Sequence, residues 1–143
     1  MKFSNTITIQ RPAHEVFAFV SDLENVPKWN YAIVETRKTS EGELGVGTTY
    51  RQIRSIPSRS EETLRVTGFE PDRQFEFEGD FGPLHGTLRY EFDEVDGATR
   101  LINTAGLEAT GLLAFAAPIA AGRIRDAVAE NLQTLKQLLE REG

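Results

Sequence analysis

Cysteine is absent from this chain of 143 residues. That excludes disulfides, thiolate catalysis and cysteine-ligated zinc. Histidine is nearly as scarce: His14 and His85 are the whole supply, far apart and without ligand spacing, so no metal site is read from them. Long apolar runs are missing too. The longest, Leu112 to Ala121, is broken by Pro118 and reaches about half of the roughly 20 residues a membrane span needs. The first residues, Met1-Lys2-Phe3-Ser4-Asn5-Thr6-Ile7, alternate in polarity, unlike the basic and apolar blocks of an export signal. Positive charge is in deficit, with 16 Lys and Arg against 22 Asp and Glu and a net charge of −6. The basic residues are interleaved with acids, which argues against nucleic acid, whose binding needs clustered cations. Catalytic signatures are short as well. There is no Gly-x-Ser-x-Gly elbow. Gly45-Val46-Gly47 runs into Thr48-Thr49 and a strand, a hairpin signal where a phosphate loop would need Lys-Ser/Thr and a helix. These absences leave a soluble cytoplasmic protein with no cofactor and no stable membrane insertion as the expectation.

The residues that are present alternate first. Phe3, Asn5, Ile7 and Ile9 oppose Lys2, Ser4, Thr6 and Thr8, which reads as a strand over residues 2–10. Pro12 then stands where a first helical residue would, with Glu15 in the first turn to complement the helix dipole. Val16 and Val20, and Ala13 and Phe17, give this short helix an apolar face. Asp22 is placed to cap a second short helix that Pro27 stops. Six strand-like segments follow: Tyr31–Ser40, Thr48–Ile56, Arg59–Phe69, Gln74–Gly79, Leu84–Val95 and Thr99–Glu108. Their short Gly-, Pro- and Asp-rich connections favour an antiparallel meander, because parallel strands need longer crossovers. From Arg123 onward, Ile124, Val128, Leu132, Leu135 and Leu139 recur at helical spacing. That long amphipathic helix has the sheet as its only partner. No repeat, linker or composition shift marks a boundary, so residues 1–143 read as one domain.

This order, with Pro12-Ala13-His14-Glu15-Val16-Phe17, Asp22…Pro27-Lys28-Trp29, Gly45-Val46-Gly47-Thr48 and the ending Leu135-Lys136-Gln137-Leu138-Leu139-Glu140, resembles the START-like or Bet v 1-like (SRPBCC) superfamily. The likeness is greatest to its bacterial polyketide cyclase/dehydrase and lipid-transport branch and runs the full length of the chain. It implies an α+β helix-grip fold: a curved seven-stranded antiparallel sheet around a long C-terminal helix, with two short helices after the first strand. It also implies a cavity between sheet and helix for lipids, polyketides, hormones or aromatic metabolites. These motifs are mostly architectural, and fold alone does not choose among such ligands.

Candidate site residues follow from the alternation. Phe75 and Phe77, and Leu88, Tyr90 and Phe92, share the inward phase, for which core packing is the plainer reading. Tyr90, in phase with Leu88 and Phe92, and Asn103, in phase with Leu101, Ala105 and Leu107, are polar groups on an apolar face. Each needs an internal partner or a ligand, because burying it unpaired is costly. In Thr48–Ile56 the set Tyr50, Gln52, Arg54 and Ile56 opposes Thr49, Arg51, Ile53 and Ser55, and neither face is clearly apolar. If the Tyr50 side points inward, Arg54 meets a ligand carboxylate, with Glu35 or Glu62 as its pairing acid; a solvated edge arginine is the plainer alternative. Trp29 is placed by the resemblance near the pocket wall, or else plugs one end of the sheet. The small, apolar stretch Gly106–Gly122, with Phe115, Ile119 and Pro118, reads as the mouth of the cavity, Pro118 kinking or delaying the helix. His14 is read as a surface residue, and His85 is a base only if a bulge turns it inward.

The ligand-binding set is therefore Trp29, Tyr50, Arg54, Phe77, Tyr90, Asn103, Phe115 and Ile119. Three functions stay open: a carrier or binding protein for a small hydrophobic molecule; a cyclase or dehydratase with Tyr90, Arg54 or His85 moving the proton; and a protein-interaction module. Ligand identity, pathway and oligomeric state are not legible in these residues.

Overall fold

The N-terminal alternation forms β1 (Lys2–Ile9) in the computed structural model, which describes residues 1–109 and 113–141 and, over 113–120, the backbone alone. Helix α1 (Ala13–Val20) follows and buries Ala13, Val16, Phe17 and Val20, with Pro12 as the capping residue just before it. A 3₁₀ helix spans Leu23–Lys28, and the Asp22 carboxylate accepts a hydrogen bond from the Glu24 N–H at its start. Pro27 lies inside this helix and does not end it. The tighter turn runs on to Lys28, and Trp29 forms the cap.

The remaining strands are β2 (Ile33–Lys38), β3 (Thr49–Arg54), β4 (Ser60–Glu70), β5 (Gln74–Phe81), β6 (Leu84–Val95) and β7 (Ala98–Ala109). They pair antiparallel in the order β1-β7-β6-β5-β4-β3-β2, with β1 and β2 at the edges. Helix α2 runs Leu113–Arg141. It begins upstream of the expected Arg123, so the backbone is already helical across Pro118 and that proline does not delay it. The side chains of Phe115 and Ile119, and with them most of the expected mouth, lie outside the described residues. Among the described residues no helix is long and apolar enough to cross a membrane.

Two glycines mark where the strands of this sheet approach one another most closely. Gly79 of β5 and Gly86 of β6 are cross-strand partners. A Cβ on Gly79 would lie 2.5 Å from the Thr63 carbonyl oxygen, and one on Gly86 would lie 1.9 Å from that of Gly106. Only a residue without a side chain lets the backbones approach this closely. The concave face of the sheet receives Leu132, Leu135 and Leu139 of α2, which join Ile9, Val16, Tyr50, Phe75 and Leu101 in one buried cluster.

The C-terminal end of α2 is tied to the β1–α1 connection. Arg11 donates to the carbonyls of Leu139 and Glu140, each at 3.1 Å, satisfying acceptors that a helix end leaves open. Lys136 donates to the Thr8 carbonyl at 2.6 Å and to Glu140, whose carboxylate also takes the Gln10 N–H at 2.8 Å. The Lys136 hydrogen bond is the main reason the Glu140 carboxyl sits below its usual range.

Tyr50 is fully buried in the cluster. Its hydroxyl is pushed up to about 12, first by burial and then by the negative charge of Asp22. The folded state therefore holds this proton more tightly than the unfolded chain. The stability this contributes is complete below about pH 10 and is lost as pH rises toward 12. Denaturant midpoints measured from about pH 9 to 12 should fall in wild type, and Tyr50→Phe should show a shallower fall over that window. Parallel curves for the two proteins would refute the assignment. Gly86→Ala should destabilise by at least about 3 kcal/mol, because both colliding partners are backbone. Gly122→Ala, in α2 with open space around its Cβ, should instead raise stability by about 0.5–1 kcal/mol in the same melts.

Candidate functional site

The inner face of the sheet can be read row by row across the strands. One row is Tyr50, Leu64, Gly79, Gly86 and Leu107. The next is Val66, Phe77, Leu88, Ala105 and Phe3. A third, Phe75, Tyr90, Asn103 and Asn5, is polar for three of its four positions. Apolar Phe92, Leu101 and Ile7 follow it. Two polar groups thus interrupt an otherwise apolar surface, and they differ in how they are satisfied.

The first group is complete. Glu62 is in phase with Leu64 and Val66 and its side chain is 1% exposed. It accepts from Gln52 Nε2 at 2.8 Å, Arg54 Nε at 2.9 Å, Ser60 Oγ at 2.9 Å and the Gly82 N–H. Gln52 in turn accepts from Thr36 Oγ1 at 3.4 Å. The register of β3 is therefore the one with Tyr50, Gln52 and Arg54 inward, while Ile56 lies beyond the strand and is exposed. Arg54 takes Glu62 as its partner, and Glu35 pairs with Arg37 instead. The cluster ties the β3–β4 connection to the β5–β6 turn. Its extent was missed at the sequence level, although Glu62 stands among inward Leu64 and Val66 while Glu61, Thr63 and Arg65 point out.

The second group is open. Asn103 is fully buried, and among the described residues neither its Nδ2 nor its Oδ1 has a hydrogen-bond partner. Beside it on β6 is Tyr90, whose hydroxyl is raised well above its ordinary value by burial alone. Trp29 meets the Tyr90 ring edge-on with centroids 6.4 Å apart, and its Nε1–H is also buried without a partner among the described residues. Phe77 stacks on Tyr90 with ring centroids 6.4 Å apart. Four expected residues, Trp29, Phe77, Tyr90 and Asn103, are thus drawn together around one ring. Tyr50 and Arg54 share the inner face but stand on β3, across the sheet from them. Asn5 was not anticipated; it extends the polar row to β1 and donates to the Arg125 carbonyl of α2 at 3.2 Å.

Neither histidine reaches this interior. His14 is exposed and faces Asp72 at 3.3 Å, and His85, also exposed, faces Asp80 at 2.9 Å on the outer side. Two surface depressions lie among the described residues. One of about 210 Å³ follows the seam between Asn5–Ile7 of β1 and Ala129–Gln133 of α2. The other, of about 540 Å³, lies beside Met1, His85 and Glu108. Neither is the chamber expected beneath the helix.

Known proteins align with this geometry. Against curated proteins the sequence finds no match. Among solved structures, the Zhui aromatase/cyclase from Streptomyces sp. R1128 superposes with a TM-score of 0.79 at 16% identity, covering 99% of this chain and 94% of that one. TTHA0849 from Thermus thermophilus gives a TM-score of 0.79 at 14% identity, covering 96% and 95%. Ara h 8.0201 gives 0.72 at 15% identity, covering 96% of each. At such identities the likeness establishes the helix-grip fold alone. A family model described as polyketide cyclase / dehydrase and lipid transport matches residues 1–140. The chain belongs to that family.

Proposed function

We propose that the protein binds a small hydrophobic molecule between the sheet and α2, as a carrier or binding protein, with Trp29, Phe77, Tyr90 and Asn103 around it and Tyr50 and Arg54 on the β3 side. The observation that carries this reading is the buried carboxamide of Asn103, both polar atoms of which are unpartnered among the described residues. Such a group costs about 1–3 kcal/mol if nothing meets it. A bound molecule with a polar end removes that penalty, and an apolar body suits the Phe, Leu and Val surface on either side.

The enzyme reading is weaker on the same ground. Cyclisation and dehydration need a group that takes up a proton as well as one that gives it. Tyr90, with its raised value, is a hydrogen-bond donor and a poor base at neutral pH. Arg54 is held by Glu62, and Glu62 already accepts four hydrogen bonds. His85 points outward. A polyketide-like molecule remains within the ligand class, by analogy with the aromatase/cyclase of the same fold.

Asn103→Leu separates a ligand-binding asparagine from a structural one. If Asn103 serves a ligand, the empty variant should be more stable than wild type by roughly 1–3 kcal/mol, since an unpaired amide is exchanged for an apolar side chain. In the same variant, native mass spectrometry should find less of any small molecule that co-purifies with wild type. A destabilised Asn103→Leu, with no adduct on either protein, would remove the support for this function.

A further inference from the structure

The chemistry of the unpartnered groups restricts the ligand further than hydrophobicity does. A carboxamide offers a donor and an acceptor side by side, and an indole N–H offers a donor alone. Both flank the Tyr90 ring, and all three groups are neutral. Burial is the only influence raising the Tyr90 hydroxyl, with no charged side chain acting on it. Arg54, a cation on this inner face, is already paired with Glu62 at 2.9 Å, and Arg125 of α2, whose carbonyl meets Asn5, lies beside Asp126 with its side chain more than half exposed. A carboxylate brought to Asn103 would therefore lose its hydration with no cation to replace it, at a cost of several kcal/mol. A purely apolar ligand would leave the amide and the indole N–H as unsatisfied as before.

We propose that the ligand's polar end is uncharged and presents an acceptor and a donor on one edge, as a carboxamide, a lactam or a hydroxy-carbonyl group does, paired edge to edge with Asn103. The Trp29 N–H is then available to a further acceptor of the same molecule. This rests on the interior-binding reading above, and it excludes fatty-acid-like carboxylates as the preferred cargo.

Three ring-matched probes test it: 2-naphthamide, 2-naphthoate at pH 7.5 and 2-methylnaphthalene. Affinity is measured by titration calorimetry. Trp29, the chain's single tryptophan, gives one indole N–H resonance in a ¹H–¹⁵N correlation spectrum that reports where the probe sits. The amide should bind at least tenfold more tightly than either other probe and should shift that resonance. Asn103→Leu should erase the preference for the amide. Trp29→Phe, a second variant that leaves Asn103 intact, should weaken the amide several-fold. If 2-naphthoate binds as tightly as the amide, or the preference survives Asn103→Leu, the proposal is overturned while interior binding stands. If water alone fills the site, 2-methylnaphthalene binds and the amide gains nothing, with the same consequence. If none of the three binds, the interior-binding reading falls and takes this one with it.

Discussion

The whole arrangement depends on a sheet bent sharply enough to close over a helix. Seven antiparallel strands with a flat face would leave Leu132, Leu135 and Leu139 half in water. The cross-strand pair Gly79 and Gly86 lets the backbones close up, because the carbonyls of Thr63 and Gly106 occupy the space that side chains would need. Once the sheet curves, its inner face is no longer merely a core surface. It becomes the concave wall against which Leu132, Leu135 and Leu139 of α2 pack. The Arg11 and Lys136 hydrogen bonds hold the last turns of α2 against the β1–α1 connection. The helix is therefore tied at its C-terminal end, remote from the strand ends at Leu84 and Ala109.

Within that wall the two polar groups have opposite consequences. A buried carboxylate with four donors and a neighbouring guanidinium is a closed system. It specifies which loops meet, and it has little left to offer a ligand. Asn103 and Trp29 form an incomplete system in which the unmet capacity is itself the information. The convex side adds little to either. Its ion pairs, such as Arg65 with Glu78 and Arg89 with Glu76, are largely solvent-exposed and each contributes less than about 1 kcal/mol.

Much of this was legible before any coordinates. Alternation in Gln74–Gly79, Leu84–Val95 and Thr99–Glu108 located the inward residues, and the phase of Tyr90 and Asn103 marked them as polar intruders. Strand alternation has a period of two and survives curvature, so those assignments carried over. Other features were invisible for physical reasons. Strand β3 alternates Tyr50, Gln52 and Arg54 against Thr49, Arg51 and Ile53, and no hydropathy difference tells the sides apart. Its register is set by Glu62 across the ladder, a long-range pairing that a local pattern does not encode. Pro27 reads as a stop because the rule concerns α-helices, whereas a short 3₁₀ helix accommodates it. The closeness of Gly79 and Gly86 follows from tertiary curvature and has no one-dimensional signature.

The asymmetry between the two polar groups also bears on why a stable core would hold an unsatisfied amide. A leucine at position 103 would pack with Leu101, Ala105 and Leu107 and remove a desolvation penalty. Retaining asparagine sacrifices stability at a point where, on the proposed function, a second molecule returns it. Binding sites commonly show this trade of stability for complementarity. It favours tight discrimination among ligands over tight holding of all of them, because an interior site built to hydrogen-bond its ligand rejects analogues that leave the site unpaired. A wholly apolar chamber would take most hydrophobic molecules of the right size. A site of the kind proposed, with one open carboxamide in it, would be selective by construction.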